Sequence, residues 1–263
     1  MKKLLLLACC AALLSGCAST AKIDSSISAI SQESRVQFVI LHYTALDLPL
    51  SLKVLSQQGV SAHYLVGDNM PPSMYRLVDE SRMAYHAGPS DWKDFSRLNA
   101  SSIGIEIVNQ GYKDTPSGRE YFPFPQAQID SVITLLKDIV ARHQIRPEYI
   151  LAHAEIAPQR KPDPGPLFPW KQLADAGLIP WPDAQQVALR QADYELQLPE
   201  AGWWQQRLAQ HGYKVPQSGT LDQATRNVLI AFQMRYRPEK FDGAPDAQTA
   251  ALLDVLTSKN QAH

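Results

Sequence analysis

Two histidines stand directly after apolar runs of the sequence. His42 follows residues 36–41, and His153 follows residues 149–152. Asp163 comes soon afterwards, in the segment Lys161-Pro162-Asp163-Pro164-Gly165-Pro166. Proline fixes its own φ and restricts the residue before it, so a carboxylate in this segment loses little conformational entropy when it binds a metal. Each residue also has an ordinary alternative, because a histidine at a strand end is commonly a satisfied polar residue and an aspartate in a proline-rich turn is commonly solvated.

Two histidines and one carboxylate are a complete protein ligand set for a catalytic Zn²⁺ with one open position. Such an ion lowers the pKa of bound water from ~15.7 to about 7 and polarises a carbonyl. The spacing alone is not diagnostic, since the chain has no HExxH motif. All three cysteines, Cys9, Cys10 and Cys17, lie in the first seventeen residues. We therefore predict one zinc ion, held in the folded body by His, Asp or Glu.

Glu106 interrupts an apolar strand predicted at residues 102–108. Alternation places the isoleucines of this strand on one face, and Gly104 and Glu106 on the other. A carboxylate in such a strand is costly unless it is paired or functional. Gly104 removes bulk beside it and would let a substrate backbone approach. We predict that Glu106 is a general acid and base, a role worth roughly 10²–10⁴-fold in rate; the alternative is a strand glutamate that faces water on a one-sided sheet.

Lys161 lies two residues before Asp163. A charged lysine does not bind zinc, but it can stabilise the oxyanion that forms as an amide carbonyl becomes tetrahedral. One such donor typically contributes about 3–4 kcal/mol to lowering the barrier. The alternative is a solvated surface lysine.

The elements that must position these residues form a mixture of strands and helices, which predicts an α/β fold: a mixed β-sheet flanked by helices, with a small all-α three-helix C-terminal domain. Apolar runs and alternation predict the strands, and apolar i, i+3, i+4, i+7 spacing predicts the helices. The predicted strands are 36–41, 63–66, 74–78, 102–108 and 149–152, and the predicted helices are 50–58, 126–144, 203–208, 223–234 and 247–256.

The N-terminal residues predict export and anchoring. Lys2 and Lys3 precede an apolar run, residues 4–14, that is too short to span a bilayer. Residues 14–17, Leu-Ser-Gly-Cys, resemble the lipobox of bacterial lipoproteins, in which the cysteine (here Cys17) is lipidated. An ordinary secretory signal with a chance cysteine is the alternative. Ala18 after the cysteine favours the outer membrane in a Gram-negative host, with the catalytic domain in the periplasm.

These boundaries divide the chain into five segments. We predict a lipoprotein signal peptide at 1–17, a tether at 18–34, a zinc enzyme domain at 35–180, a linker at 181–200 and a helical domain at 201–263. The net charge of −1 and the absence of a basic stripe argue against a nucleic-acid partner. Nothing in the sequence demands an oligomer, and we expect a monomer.

Several short motifs together resemble the type 2 N-acetylmuramoyl-L-alanine amidases. The resemblance covers roughly residues 35–180, and the C-terminal unit resembles the small helical peptidoglycan-binding domain. The matching stretches begin at His42-Tyr43-Thr44, at Ser61-Ala62-His63-Tyr64, at Tyr85-His86-Ala87-Gly88, at Asn99, at Ser102-Ile103-Gly104-Ile105-Glu106 and at His153-Ala154-Glu155, the last running on to Asp163 and Gly165.

By this resemblance, His42, His153 and Asp163 are the zinc ligands, Glu106 is the catalytic acid and base, and Lys161 assists at the carbonyl. The implied reaction is hydrolysis of the amide bond between the lactyl group and L-alanine in peptidoglycan or muropeptides. Positions around the implied substrate groove are matched by His63, Tyr64, His86 and Asn99. Two alternatives stay open: a non-catalytic peptidoglycan-recognition protein, and a zinc peptidase that cuts within the stem peptide.

Overall fold

The computed structural model describes residues 22–116 and 118–258. The predicted signal peptide 1–17, with Cys17, lies outside the described residues. The chain divides into two units, Met1–Glu33 and Ser34–His263. In the first unit, residues 22–33 are exposed and form neither helix nor strand. The elements that follow all belong to the second unit.

Nine strands are present among the described residues, and five of them form the central sheet. The strands are β1 Phe38–Tyr43, β2 Tyr64–Val66, β3 Met74–Arg76, β4 Asp91–Trp92, β5 Phe95–Ser96, β6 Ser102–Ile107, β7 Tyr112–Thr115, β8 Gly118–Tyr121 and β9 Ile150–Ala152. The central sheet has the order β3-β2-β6-β1-β9, and β4-β5 and β7-β8 are separate two-stranded sheets. In the central sheet only β3 pairs antiparallel, so the predicted mixed sheet is confirmed.

Strand β1 lies inside the sheet, between β6 and the edge strand β9. Its residues 38–42 are buried, which explains the apolar run, since parallel strands covered on both faces lose the polar alternation. In the parallel register, His42 lies opposite Glu106 on β6, and Leu41 lies opposite Ala152 on β9. Three of the residues predicted to do chemistry therefore meet at the carboxyl ends of neighbouring strands, because His153 directly follows Ala152.

Eight α-helices accompany the strands in the described part of the chain. They are α1 Leu48–Gln57, α2 Gln126–His143, α3 His153–Ile156, α4 Trp170–Asp175, α5 Ala184–Leu196, α6 Ala201–His211, α7 Gln223–Tyr236 and α8 Ala247–Ser258. None of the helices in this part is long and apolar enough to cross a membrane. Helix α2 buries Ile129, Val132, Leu136 and Ile139, the apolar stripe that the spacing predicted.

The predicted three-helix C-terminal part corresponds to α6, α7 and α8. The segment 181–200, predicted to be a linker, instead contains helix α5, which packs against α8. Asp183 caps α5 by accepting a hydrogen bond from the Gln186 backbone N–H at 2.9 Å. Arg190 of α5 lies 3.6 Å from Asp254 of α8. This segment is therefore ordered and belongs with the C-terminal helices. Residues 181–258 are called the helical half below, and residues 34–180 are called the sheet half.

The sheet half and the helical half share one hydrophobic core. Buried side chains of the sheet, such as Phe38 and Ile105, belong to the same cluster as Phe232 and Leu253 of the helical half. At the contact, the backbone N–H of Lys93 donates to the carbonyl of Gly212 at 2.8 Å. The two halves are thus packed as one body, and the exact boundary between two domains stays a prediction.

Candidate active site

Three side chains form a compact triangle at the carboxyl edge of the sheet. His42 Nδ1 lies 2.9 Å from His153 Nδ1 and 3.0 Å from Asp163 Oδ2. His153 Nδ1 lies 3.1 Å from the same carboxylate oxygen. All three residues are buried. Among the described residues, this is the group of histidines and carboxylates whose ligand atoms are close enough to hold a metal ion.

The proton positions on His42 follow from a chain of hydrogen bonds behind it. Ser102 Oγ donates to the carbonyl of Leu98 at 2.6 Å, so it accepts from His86 Nε2 at 3.1 Å. His86 therefore carries its proton on Nε2, and its Nδ1 accepts from His42 Nε2 at 3.0 Å. Since neutral imidazole has a single N–H, His42 Nδ1 presents a lone pair to the triangle.

His153 is oriented in the same way by a backbone carbonyl. Its Nε2 lies 3.1 Å from the carbonyl oxygen of Ala87 and donates to it, which leaves the Nδ1 lone pair facing Asp163. Two imidazole lone pairs and one carboxylate oxygen then converge with no proton between them, an arrangement that is repulsive without a cation. Ligands of a tetrahedral zinc at about 2.0–2.1 Å lie roughly 3.3 Å apart, so the triangle fits this ion.

Electrostatics keep the triangle ready for a cation at neutral pH. Burial and the neighbouring His153 lower the pKa of His42 to about 4, although Asp163 acts in the opposite direction. Burial alone would raise the pKa of Asp163, but His153 and His42 hold it well below its ordinary value. Both groups are therefore deprotonated at neutral pH, as metal ligands must be.

Glu106 and Lys161 line a cavity that opens onto the triangle. Its volume is about 370 Å³. Burial and the Asp163 charge raise the pKa of Glu106 well above its ordinary value, while Lys161 lowers it. Glu106 Oε2 is buried with no hydrogen-bond partner. Apolar and aromatic side chains complete the wall, among them Tyr43, Leu46, Val54, Leu55, Val60, Tyr85 and Tyr112.

The space over Gly104 is occupied by His86 and is not open to a substrate. A Cβ on Gly104 would lie 2.3 Å from His86 Cγ, so only glycine lets the imidazole ring lie against the strand. This corrects the expectation that Gly104 admits a substrate backbone. His86 lines the cavity and also accepts a hydrogen bond from the predicted ligand His42. It therefore lies at the predicted substrate groove and supports a ligand as well.

His63 and Tyr64 are not among the residues that line the cavity, and their contact with substrate stays a prediction. The backbone N–H of Gly104 donates to His63 Nδ1 at 3.0 Å, and His63 Nε2 donates to the carbonyl of Arg82 at 3.1 Å. Tyr64 donates from its hydroxyl to Glu80 Oε1 at 2.6 Å. Both side chains are used to fix the loop that follows β3.

Asn99 also bonds to a backbone loop and is not among the residues that line the cavity. Its Oδ1 accepts hydrogen bonds from the backbone N–H groups of His86 and Ala87, at 3.1 and 2.7 Å. Because His86 holds His42 and the carbonyl of Ala87 holds His153, Asn99 fixes the loop that orients both predicted histidine ligands. A substrate contact at Asn99 stays a prediction.

Two residues that support the site were missed by the sequence analysis. Ser102 ends the hydrogen-bond chain behind His42, and a serine that begins a strand carries no signal of that role. Arg160 donates to the carbonyls of Ala87 and Pro89 and lines the cavity. Its position directly before Lys161 in a matched motif was the only signal that could have identified it.

Comparison with known families and proteins gives consistent matches. Residues 32–166 match the family model described as N-acetylmuramoyl-L-alanine amidase, and residues 197–253 match a peptidoglycan binding domain. The N-acetylmuramoyl-L-alanine amidase AmiD of Escherichia coli strain K12 is 41% identical, over 98% of this chain and 99% of its own length.

Solved structures show the same similarity in three dimensions. A complex of E. coli AmiD with the substrate anhydro-N-acetylmuramic acid-L-Ala-D-γ-Glu-L-Lys matches with a TM-score of 0.82 and 42% identity, covering 90% of this chain and 94% of that chain. AmpDh3 from Pseudomonas aeruginosa matches with a TM-score of 0.84 and 36% identity, covering 93% and 100%.

Proposed function

The chain belongs to the N-acetylmuramoyl-L-alanine amidase family, and from this premise we propose how it acts. It hydrolyses the amide bond between the lactyl group of muramic acid and L-alanine in peptidoglycan or muropeptides. We assign one zinc ion to His42, His153 and Asp163. The observation that carries this assignment is the convergence of two imidazole lone pairs and a carboxylate oxygen within 3.1 Å.

When bound, zinc supplies a Lewis acid for the amide carbonyl and makes water a usable nucleophile near neutral pH. Glu106 accepts a proton from the attacking water and returns it to the amine of L-alanine as that amine leaves. Its raised pKa makes Glu106 a stronger base than an ordinary carboxylate, which supports the proton transfer from water.

The position of Lys161 supports a role at the substrate carbonyl. It is exposed and lines the same cavity as Glu106 and Asp163. Its ammonium group stabilises the negative charge that develops on the carbonyl oxygen during attack. The buried triangle below cannot make this contact by hydrogen bonding, because it offers acceptors only.

The products of digestion test this function against its rivals. Purified muropeptides are incubated with the protein, with and without a chelator, and the fragments are identified by mass. The amidase yields a free lactyl sugar and a peptide with N-terminal L-alanine, and the chelator stops the reaction until zinc is restored. Cuts within the stem peptide would favour a zinc peptidase, and binding without any cut would favour a recognition protein.

We also propose that the protein is a lipid-anchored monomer of the outer membrane. The motif Leu14-Ser15-Gly16-Cys17 supports an anchor at Cys17, and Ala18 after it supports the outer membrane. An anchor there would keep the sheet half, which carries the candidate active site, in the periplasm and within reach of peptidoglycan.

A further inference from the structure

A buried carboxylate lies directly beside the predicted ligand His153. Glu155 is fully buried in the short helix α3. Its Oε2 accepts a hydrogen bond from the backbone N–H of Ala152 at 2.8 Å, which closes the turn between β9 and α3. Because His153 is the first residue of α3, Glu155 fixes the turn that aims His153 at the triangle.

The same turn is tied to the second predicted ligand. The backbone N–H of Ala154 donates to the carbonyl of Asp163 at 2.8 Å. A shift of the turn would therefore move His153 and the loop of Asp163 together. The geometry of two of the three ligands depends on how well this turn is held.

The side-chain partners of Glu155 come from the helical half of the chain. Arg235 of α7 forms an ion pair with Glu155 Oε2 at 2.6 Å, and the same guanidinium nitrogen donates to the carbonyl of Ile150 at 3.1 Å. Tyr213 donates from its hydroxyl to Glu155 Oε1 at 3.3 Å. In residues 22–116 and 118–258, Arg235 is the one cation within 4.0 Å of this carboxylate.

Arg235 is itself enclosed by the sheet half. Its side chain is 3% exposed, and its guanidinium lies 4.3 Å from the centre of the Trp170 ring. The guanidinium thus spans from the start of β9, at the carbonyl of Ile150, to Glu155 in α3. It bridges both sides of the turn that carries His153.

We propose that Arg235 is a positioning residue for the ligand His153, and that the helical half is thereby a working part of the catalytic unit. The inference rests on the proposed zinc site and extends it. Arg235 acts through Glu155 and the carbonyl of Ile150 and does not touch the ligands. Loss of the contacts that Arg235 makes with Glu155 and the carbonyl of Ile150 loosens the turn and lowers the affinity for zinc.

The test compares two buried arginines of the helical half in the full-length protein. Arg235→Met removes the guanidinium that bonds to Glu155 and to the carbonyl of Ile150. Arg237→Met is the matched control, because Arg237 is 4% exposed and pairs with Asp246 at 2.5 Å within the helical half. Zinc affinity is measured by competition with a chromophoric chelator, at a temperature where both variants are folded. The absorption spectrum of bound Co²⁺ reports the ligand geometry independently of activity.

We expect Arg235→Met to weaken zinc binding by about tenfold or more, as loss of support for a metal ligand typically does, and to alter the Co²⁺ spectrum. Arg237→Met should lower the melting temperature but keep zinc affinity within about twofold of wild type. Wild-type affinity in Arg235→Met, or equal weakening in both variants, overturns the inference.

A second variant covers the case in which Arg235→Met does not fold, because it leaves Glu155 buried without a partner. The double variant Glu155→Gln/Arg235→Met removes both charges and keeps an acceptor for the Ala152 N–H. It should fold and still bind zinc more weakly than wild type; full affinity overturns the inference.

The same measurements separate the inference from the proposed function. A wild-type protein that binds no zinc overturns the proposed function as well. One zinc ion in the wild type, with unchanged affinity in the variants, overturns the positioning role alone.

Discussion

The hydrogen bonds behind the two histidines determine what the triangle can hold. His86 and the carbonyl of Ala87 take the N–H groups of His42 and His153, so the opposite nitrogens are acceptors. Asp163 adds a third acceptor. Second partners of this kind fix the tautomer and the ring orientation of metal-binding histidines. At the scale of single residues, the site is therefore committed to a cation before any substrate arrives.

Glu106→Gln tests the proton transfer while the shape of the side chain is kept. We expect the hydrolysis rate to fall by about two to four orders of magnitude, because the amide cannot accept a proton from water. Zinc content should stay at one ion, since Glu106 is outside the ligand triangle. Glu195→Gln, at an exposed residue of helix α5, is the control and should leave the rate unchanged. Normal activity in Glu106→Gln would remove this residue from the mechanism.

The raised pKa of Glu106 predicts a pH-dependent stability of the metal-free protein. The folded state holds a proton that the unfolded state releases above its ordinary pKa of 4.5. The stability that this group contributes is therefore fully present below that pH and is lost as the pH rises. Relative to wild type, Glu106→Gln should gain stability above pH ~4.5, by up to about 1.4 kcal/mol per pH unit.

Urea unfolding between pH 4 and 8, in the presence of a chelator, measures this difference. Histidine titration is common to both proteins and cancels in the comparison. A difference in unfolding free energy that does not change with pH would show that the pKa of Glu106 is ordinary in the folded state.

At the scale of elements, the parallel register of β9, β1 and β6 brings residues distant in sequence to one edge of the sheet. The positions of His42 and His153 could be predicted, because apolar runs mark buried parallel strands and the polar residue that follows each run stands at the carboxyl end of its strand. The convergence with Asp163 could be suspected from the chemistry of the donor set. The orientation of the rings could not, since it depends on backbone carbonyls such as that of Ala87.

The elements that the sequence analysis missed lack a strong apolar pattern. Helix α5 buries only Val187 among its thirteen residues, so its periodicity is weak. Its capping residue Asp183 was the available signal. Arg235 lies one residue beyond the predicted helix 223–234, in the observed helix α7, and its burial depends on Glu155 and Trp170 across the interface, which no local pattern reveals. His63, Tyr64 and Asn99 matched family positions, yet a match does not tell a substrate contact from a structural one.

Gly104→Ala tests whether strand β6 must leave space for His86. The new Cβ would meet the imidazole ring at 2.3 Å, so His86 must move and release His42 Nε2. We expect zinc affinity to fall by roughly 10–100-fold, the usual cost of losing a supporting partner. Gly59→Ala, with nothing within 4 Å of its Cβ, is the control. Unchanged affinity in Gly104→Ala, measured by chelator competition, would show that His86 does not hold the ligand.

At the scale of the whole molecule, the sheet half and the helical half share a core and an ion pair. Trp92 of the sheet half packs edge-to-face against Tyr213 at 5.0 Å, and Gly212 gives it room. The helical half is similar to peptidoglycan binding domains, but its described contacts are also structural. We therefore expect that removing residues 197–263 would expose core surface and destabilise the sheet half.

The proposed anchor is tested in cells by Cys17→Ser. Loss of the lipidated thiol should move the protein from the membrane pellet to the soluble fraction, because the apolar leader alone is too short to span the bilayer. Cys10→Ser, in the same leader, is the matched control and should stay in the pellet. A Cys17→Ser protein that still sediments with membranes would contradict the anchor.

The most direct test of the zinc site is anomalous diffraction at the zinc edge from crystals of the zinc-loaded protein. The proposed site predicts a single peak bonded to His42 Nδ1, His153 Nδ1 and Asp163 Oδ2, at about 2.0–2.2 Å from each. A zinc-loaded crystal with no peak between these three atoms, or with the ion held by other side chains, would contradict it.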